Sequence, residues 1–147
     1  MRKATLLMAF LLLTSMSTGC DPDTTTGERP VHCEVLVDSP VKADNADKMV
    51  GKARFNCDKP GAEKLTLSMK LQKRDGDEWH TVASATHTVK GLDTHAAGFE
   101  HQSRPIELKC AEGVYRTVVD WSRVSRKNTK GDNLISGVVR DPCKKLL

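Results

Sequence analysis

Residues 65–72, LTLSMKLQ, place Leu65, Leu67, Met69 and Leu71 on one side of an extended chain and Thr66, Ser68, Lys70 and Gln72 on the other. This alternation suits a half-buried strand and excludes an amphipathic helix, whose apolar stripe needs spacings of three and four. The next residues, KRDGDEW, contain Asp75-Gly76, a favoured hairpin turn because glycine takes positive φ without a Cβ clash. A second strand then runs from Trp79 to about Val89. Period-two patterning recurs at 31–37, 49–57, a stretch ending in Ile106-Glu107-Leu108, 114–124 and 134–140, with Gly, Pro, Asp and Asn between them. The polar SRKNTKGDN between the last two reads as a long hairpin loop. The expectation is an all-β domain of about seven antiparallel strands, with no helix and no internal repeat.

Seven short strands with frequent turns are the usual sequence pattern of an immunoglobulin-like or fibronectin-like sandwich, and small barrels share it. EGVYRTVVDW, residues 112–121, resembles the approach to strand F of immunoglobulin-like domains, where a Gly-x-Tyr precedes the strand and the tyrosine hydroxyl closes a corner. Thr117 stands where antibody domains carry their second cysteine. The resemblance therefore implies the sandwich and its tyrosine corner, without the antibody-type disulfide.

Cysteines occur at Cys20, Cys33, Cys57, Cys110 and Cys143, and an odd count leaves one without an intramolecular partner. Cys110 and Cys143 flank the last two expected strands, so antiparallel pairing brings them together at the open end of that hairpin. Cys33 and Cys57 do the same around residues 44–47. Four cysteines allow three connectivities. Local pairing is the expected one, and a Cys57–Cys110 bridge would resemble the inter-sheet bond of antibody domains. Loops of these sizes stabilise by roughly 3–4 kcal/mol per bridge in the chain-entropy model.

Cys20 belongs to a different part of the chain. Arg2 and Lys3 precede an apolar run of about ten residues, ATLLMAFLLL, and Ser17-Thr18-Gly19 supply the small residues of a cleavage site. That run is half of the roughly twenty residues a membrane-spanning helix requires. STGC resembles the lipobox of bacterial lipoproteins, with Ser17 in a position usually held by an aliphatic residue. The resemblance implies acylation of Cys20 as the mature N-terminus; cleavage by ordinary signal peptidase, leaving a secreted protein, is the alternative. DPDTTTGERP, residues 21–30, is polar and bracketed by prolines, as a tether should be. The expected organisation is a signal peptide at 1–19, a lipidated cysteine and tether at 20–30, and a disulfide-stapled domain at 31–147. The leader, the hairpin LTLSMKLQKRDGDEWHTVAS and GVYRTVVDWSR together resemble small actinobacterial exported proteins, and that resemblance carries no activity with it.

Cleavage before Cys20 lowers the net charge from +4 to +2, because Arg2 and Lys3 leave and no Asp or Glu precedes position 20. So slight an excess argues against nucleic acid as the main partner. The sequence contains no nucleophile elbow, zincin helix, P-loop, dinucleotide fingerprint or EF-hand loop. His32, His80, His87, His95 and His101 show no ligand spacing, and surface strand and loop positions account for them. His95 and His101, flanking the segment AAGF, are the pair most able to approach a metal together. Asp75, Asp77 and Glu78 read as turn chemistry rather than a calcium site. Trp79 and Trp121 read as core anchors in a chain with only 4% aromatic residues, the alternative being an aromatic platform for a glycan or peptide.

Arg123, Arg126, Lys127 and Lys130 cluster near one hairpin tip and are the candidate binding residues, for an anionic polymer or lipid at the cell envelope. The functional expectation is a non-enzymatic binding domain, held by lipid outside the bacterial membrane, with no metal or cofactor. Its partner would be a protein or an envelope polymer. The alternative is a secreted inhibitor of an extracellular hydrolase, a protease or a lysozyme, since small disulfide-stapled domains present rigid loops well.

Overall fold

The computed structural model describes residues 29–98 and 100–145. The leader, Cys20 and most of the tether lie outside the described residues. Eight strands follow in chain order: β1 (Cys33–Lys42), β2 (Lys48–Cys57), β3 (Ala62–Asp75), β4 (Glu78–Gly91), β5 (Gln102–Lys109), β6 (Val114–Ser125), β7 (Asn128–Ile135) and β8 (Val139–Arg140). A single 3₁₀ turn, Leu92–Thr94, is the only helical element among the described residues. Three strands form an antiparallel sheet in the order β1-β2-β5. The rest form a second antiparallel sheet in the order β4-β3-β6-β7, with β8 pairing β6.

The two sheets share one core, the arrangement of a β-sandwich. Val35, Met49, Ala53, Phe55 and Ile106 come to it from the first sheet, and Leu65, Leu67, Met69, Leu71, Tyr115 and Val119 from the second. The four apolar positions of 65–72 are at most 1% exposed, as their alternation requires. Tyr115 and Phe55 are the largest fully buried side chains. The Tyr115 hydroxyl donates to the Glu112 carbonyl at 3.4 Å, closing a corner just before β6.

Both local disulfides form. Cys33 and Cys57 stand opposite each other in the β1–β2 ladder, with Cα atoms 4.0 Å apart, and Cys110 bonds Cys143. Each therefore closes one end of the molecule, the first where the chain enters β1 and the second where it leaves β8.

Three sequence expectations need correction. SRKNTKGDN is not a long loop: only Arg126 and Lys127 form the turn, with φ of 48° and 61°, and β7 pairs with β6 from Asn128 onward. An edge strand needs only its backbone ladder, so β7 carries no apolar alternation and its side chains are almost all exposed. The strand expected at 134–140 is accordingly split. At the break, Ser136 Oγ accepts from the Thr117 N–H at 2.8 Å, and the Ser136 N–H donates to the Thr117 carbonyl at 2.9 Å.

The β3–β4 turn is Gly76-Asp77, closed by Asp75 opposite Glu78, one residue later than Asp75-Gly76. Gly76 takes φ of 60° at its first position, where a hairpin of this length needs positive φ. Finally, Trp79 is not a core anchor. Leu71 pairs with Ala83 but Gln72 pairs with Thr81, so Val82 is an extra residue that reverses the phase of β4 and turns Trp79 to the outer face. Trp121 does pack against the core, half-buried.

Candidate functional site

The chain enters the domain beside the tip of the β6–β7 hairpin. The Val31 N–H donates to Ser125 Oγ at 2.9 Å, and Arg123 Nη1 donates to the Val31 carbonyl at 2.7 Å. Arg123 Nη2 reaches Asn128 Oδ1 at 2.7 Å, which ties the same guanidinium to the start of β7. Arg123 is only 4% exposed. It therefore separates from the surface cluster expected of it and fastens the entering chain from inside. The clue was present in the alternation of β6, where Tyr115, Thr117, Val119, Trp121 and Arg123 fall on one face.

Arg126, Lys127 and Lys130 remain exposed on that hairpin. The backbone N–H of Arg126 donates to Glu63 Oε1 at 3.1 Å, which pins the turn to the start of β3. Three of the four candidate cations thus share one tip, next to the point where the chain enters β1.

The opposite end carries an aromatic platform built on Trp79 without Trp121, and its arginine and glutamine members were not foreseen from the sequence. Gln72 pairs with Thr81 on one side and Arg116 on the other, and Arg74 pairs with Trp79, so all five share the outer face of the larger sheet. The Arg116 guanidinium carbon is 4.1 Å from the Trp79 ring centroid and that of Arg74 is 5.9 Å away. Arg116 Nε donates to Gln72 Oε1 at 2.9 Å, which holds the stacked geometry. Below this platform the face continues in polar rows: Thr86, Ser68, Asp120 and Asn133 are cross-strand neighbours, as are Thr88, Thr66, Ser122 and Gly131. Arg116 and Ser125 are nine positions apart on β6, so the platform stands roughly 30 Å from the chain entry. The hidden signal was the Val82 bulge, which no residue type announces.

The histidines are not brought together. His95 Nδ1 is 2.7 Å from the Cys57 carbonyl oxygen and His87 Nε2 is 2.9 Å from that of Pro105. His101 Nε2 lies 3.5 Å from Glu34 and His80 Nε2 lies 3.7 Å from Glu78. Among the described residues no three His, Cys, Asp or Glu side chains are grouped to hold a metal ion. Asp75, Asp77 and Glu78 are exposed around the β3–β4 turn.

A cleft of about 210 Å³ near the second disulfide is lined by Glu112, Asp141 and Lys144. Its charges answer one another. Gly113 donates its N–H to Asp141 Oδ1 at 2.8 Å, and Lys144 Nζ lies 2.8 Å from Glu112 and 3.6 Å from Asp141. The Gly113 bond holds the Asp141 carboxyl below its ordinary range, with Lys144 and Arg140 adding to the effect, while Glu112 raises Lys144. This arrangement fastens the segment after β8 to the turn before β6. The Trp79 platform instead offers an aromatic ring, two guanidinium groups and an amide to an incoming molecule, which suits recognition by stacking and hydrogen bonding.

Comparison with protein-family models, with curated proteins and with solved structures finds no match to this chain.

Proposed function

We propose that this protein is a non-enzymatic binding domain of the immunoglobulin-like or fibronectin-like class, anchored by lipid on Cys20 outside the bacterial membrane. It engages a surface protein or envelope polymer through the outer face of the β4-β3-β6-β7 sheet. The observation that carries this reading is the Trp79–Arg116–Gln72 platform, roughly 30 Å from the chain entry, at the end that a tether would leave free. Tryptophan and arginine are the residue types on which binding energy concentrates.

The class assignment is supported by the strand order of the two sheets and by the Tyr115 corner. Gly51 on β2 also meets Thr117 on β6 across the core, at the places where antibody domains set their inter-sheet cysteines. The exposed end of the β3–β4 hairpin, residues 74–78, favours a second reading as the rigid loop of a hydrolase inhibitor. Stoichiometric inhibition in a panel of proteases and lysozymes would select it.

Two experiments test the leading proposal. Intact mass of the protein from host membranes is expected to show a chain beginning at Cys20 with added acyl groups, and Cys20→Ala is expected to release it to the medium. Co-sedimentation of the mature chain with purified envelope is expected to weaken about tenfold in Trp79→Ala and in Arg116→Ala. Unacylated wild-type protein in the medium would overturn the anchor, and undiminished binding by both variants would overturn the platform.

A further inference from the structure

Arg123 carries a charge that no acidic side chain among the described residues answers. Its guanidinium is buried, and its hydrogen bonds go to two neutral oxygens, the Val31 carbonyl and Asn128 Oδ1. None of the ion pairs among the described residues includes it. Buried cations ordinarily face an anion, because neutral dipoles recover only part of the lost hydration. Its partner across the ladder, on the same face of the sheet, is Lys130. Like charges placed directly opposite destabilise a sheet, so the pair costs stability twice.

Both cations line a cleft of about 160 Å³, closed by residues 30–33 of the entering chain and by half-buried Trp121. His32 adds a further nitrogen-bearing side chain, and none of the described lining residues is acidic. Asp132, opposite Trp121 in the ladder, is outside the lining and accepts the Asn133 N–H on Oδ1 at 2.8 Å.

We propose that this cleft binds a phosphate-bearing ligand, with the anion between Arg123 and Lys130 and a short polyol against Trp121. Two adjacent cations match a phosphate group, and with two of its five N–H groups given to Val31 and Asn128 the Arg123 guanidinium keeps three for phosphate oxygens. The ring of Trp121 supplies an apolar wall for carbon-bound hydrogens. Glycerophosphate has this chemistry, whether as the headgroup of a phospholipid or as a soluble or polymeric phosphodiester. The cleft lies where the tether enters, but the inference holds whether or not Cys20 carries lipid and is independent of the Trp79 platform.

The test uses the mature chain with Cys20→Ser and Trp79→Phe, so that Trp121 alone reports. Titration with glycerol 3-phosphate is expected to change its emission saturably, and to shift the Arg123 Nε–Hε resonance. Lys130→Ala, at an exposed position that the fold tolerates, is expected to weaken binding about tenfold, whereas Lys42→Ala and Lys90→Ala, exposed and outside the cleft lining, leave it unchanged. No saturable change up to about 10 mM, or equal weakening by all three variants, would overturn the site. Vesicles of phosphatidylglycerol and of phosphatidylcholine separate the sources. Lys130-dependent binding to the former alone assigns the ligand to lipid, and binding to glycerol 3-phosphate without vesicle binding assigns it to the soluble or polymeric form.

Discussion

Thr117 Oγ1 is buried with no hydrogen-bond partner, and a Cβ placed on Gly51 would collide with this side chain. A buried hydroxyl left unsatisfied costs about 1–3 kcal/mol. Thr117→Val keeps the shape and removes the polar group, and is expected to raise stability by about 1 kcal/mol in urea denaturation. Asp141 sets a pH dependence at the same scale. Its carboxyl is held below the ordinary value of 3.8, first by the Gly113 N–H. A depressed folded-state value means that the contribution is complete above the ordinary value and is lost as pH falls through the lower, folded one. Asp141→Asn is therefore expected to show a shallower loss of thermal stability below about pH 4 than the parent chain.

The β6–β7 turn places two lysine-or-arginine residues, Arg126 and Lys127, at positive φ, where a two-residue hairpin favours Asn-Gly. Side chains with a Cβ lose roughly 1–2 kcal/mol in that region, partly offset by the greater freedom of an unfolded glycine. Lys127→Gly is expected to stabilise the domain by about 0.5–1 kcal/mol, read as a higher urea midpoint at unchanged slope. The element thus gives up stability for two exposed cations beside the chain entry. The edges of the smaller sheet are managed differently. Pro105 lies in edge strand β5, and its carbonyl oxygen is 2.9 Å from His87 Nε2 on the edge of the other sheet.

At the scale of the molecule, one disulfide closes each end. The sequence separations of 24 and 33 residues correspond to about 3.5 kcal/mol per bridge in the chain-entropy model. Their sum is comparable to the ~5–15 kcal/mol net stability of an ordinary domain. Reduction is therefore expected to lower the melting temperature steeply, and an unchanged melting temperature would contradict this account. Cys33 lies two residues beyond Val31, so a pull on the N-terminal chain meets the Cys33–Cys57 bridge before β1 can peel away.

The period of the apolar residues determined most of the strands, the inward face of β3 and, through the flanking positions of Cys33, Cys57, Cys110 and Cys143, the order in which the cysteines meet, whereas both faces of β6 carry apolar residues and its inner side was left open. These properties are local: alternation on one strand reports which side is buried, and a hairpin brings its own ends together. Tertiary structure decided the rest. β7 is held by backbone pairing that polar side chains do not advertise, Arg123 is drawn inside by the entering Val31, and the Val82 bulge turns Trp79 outward. Each depends on how one strand registers against another, and register is set by pairing across the sheet, which the spacing within a single strand does not record.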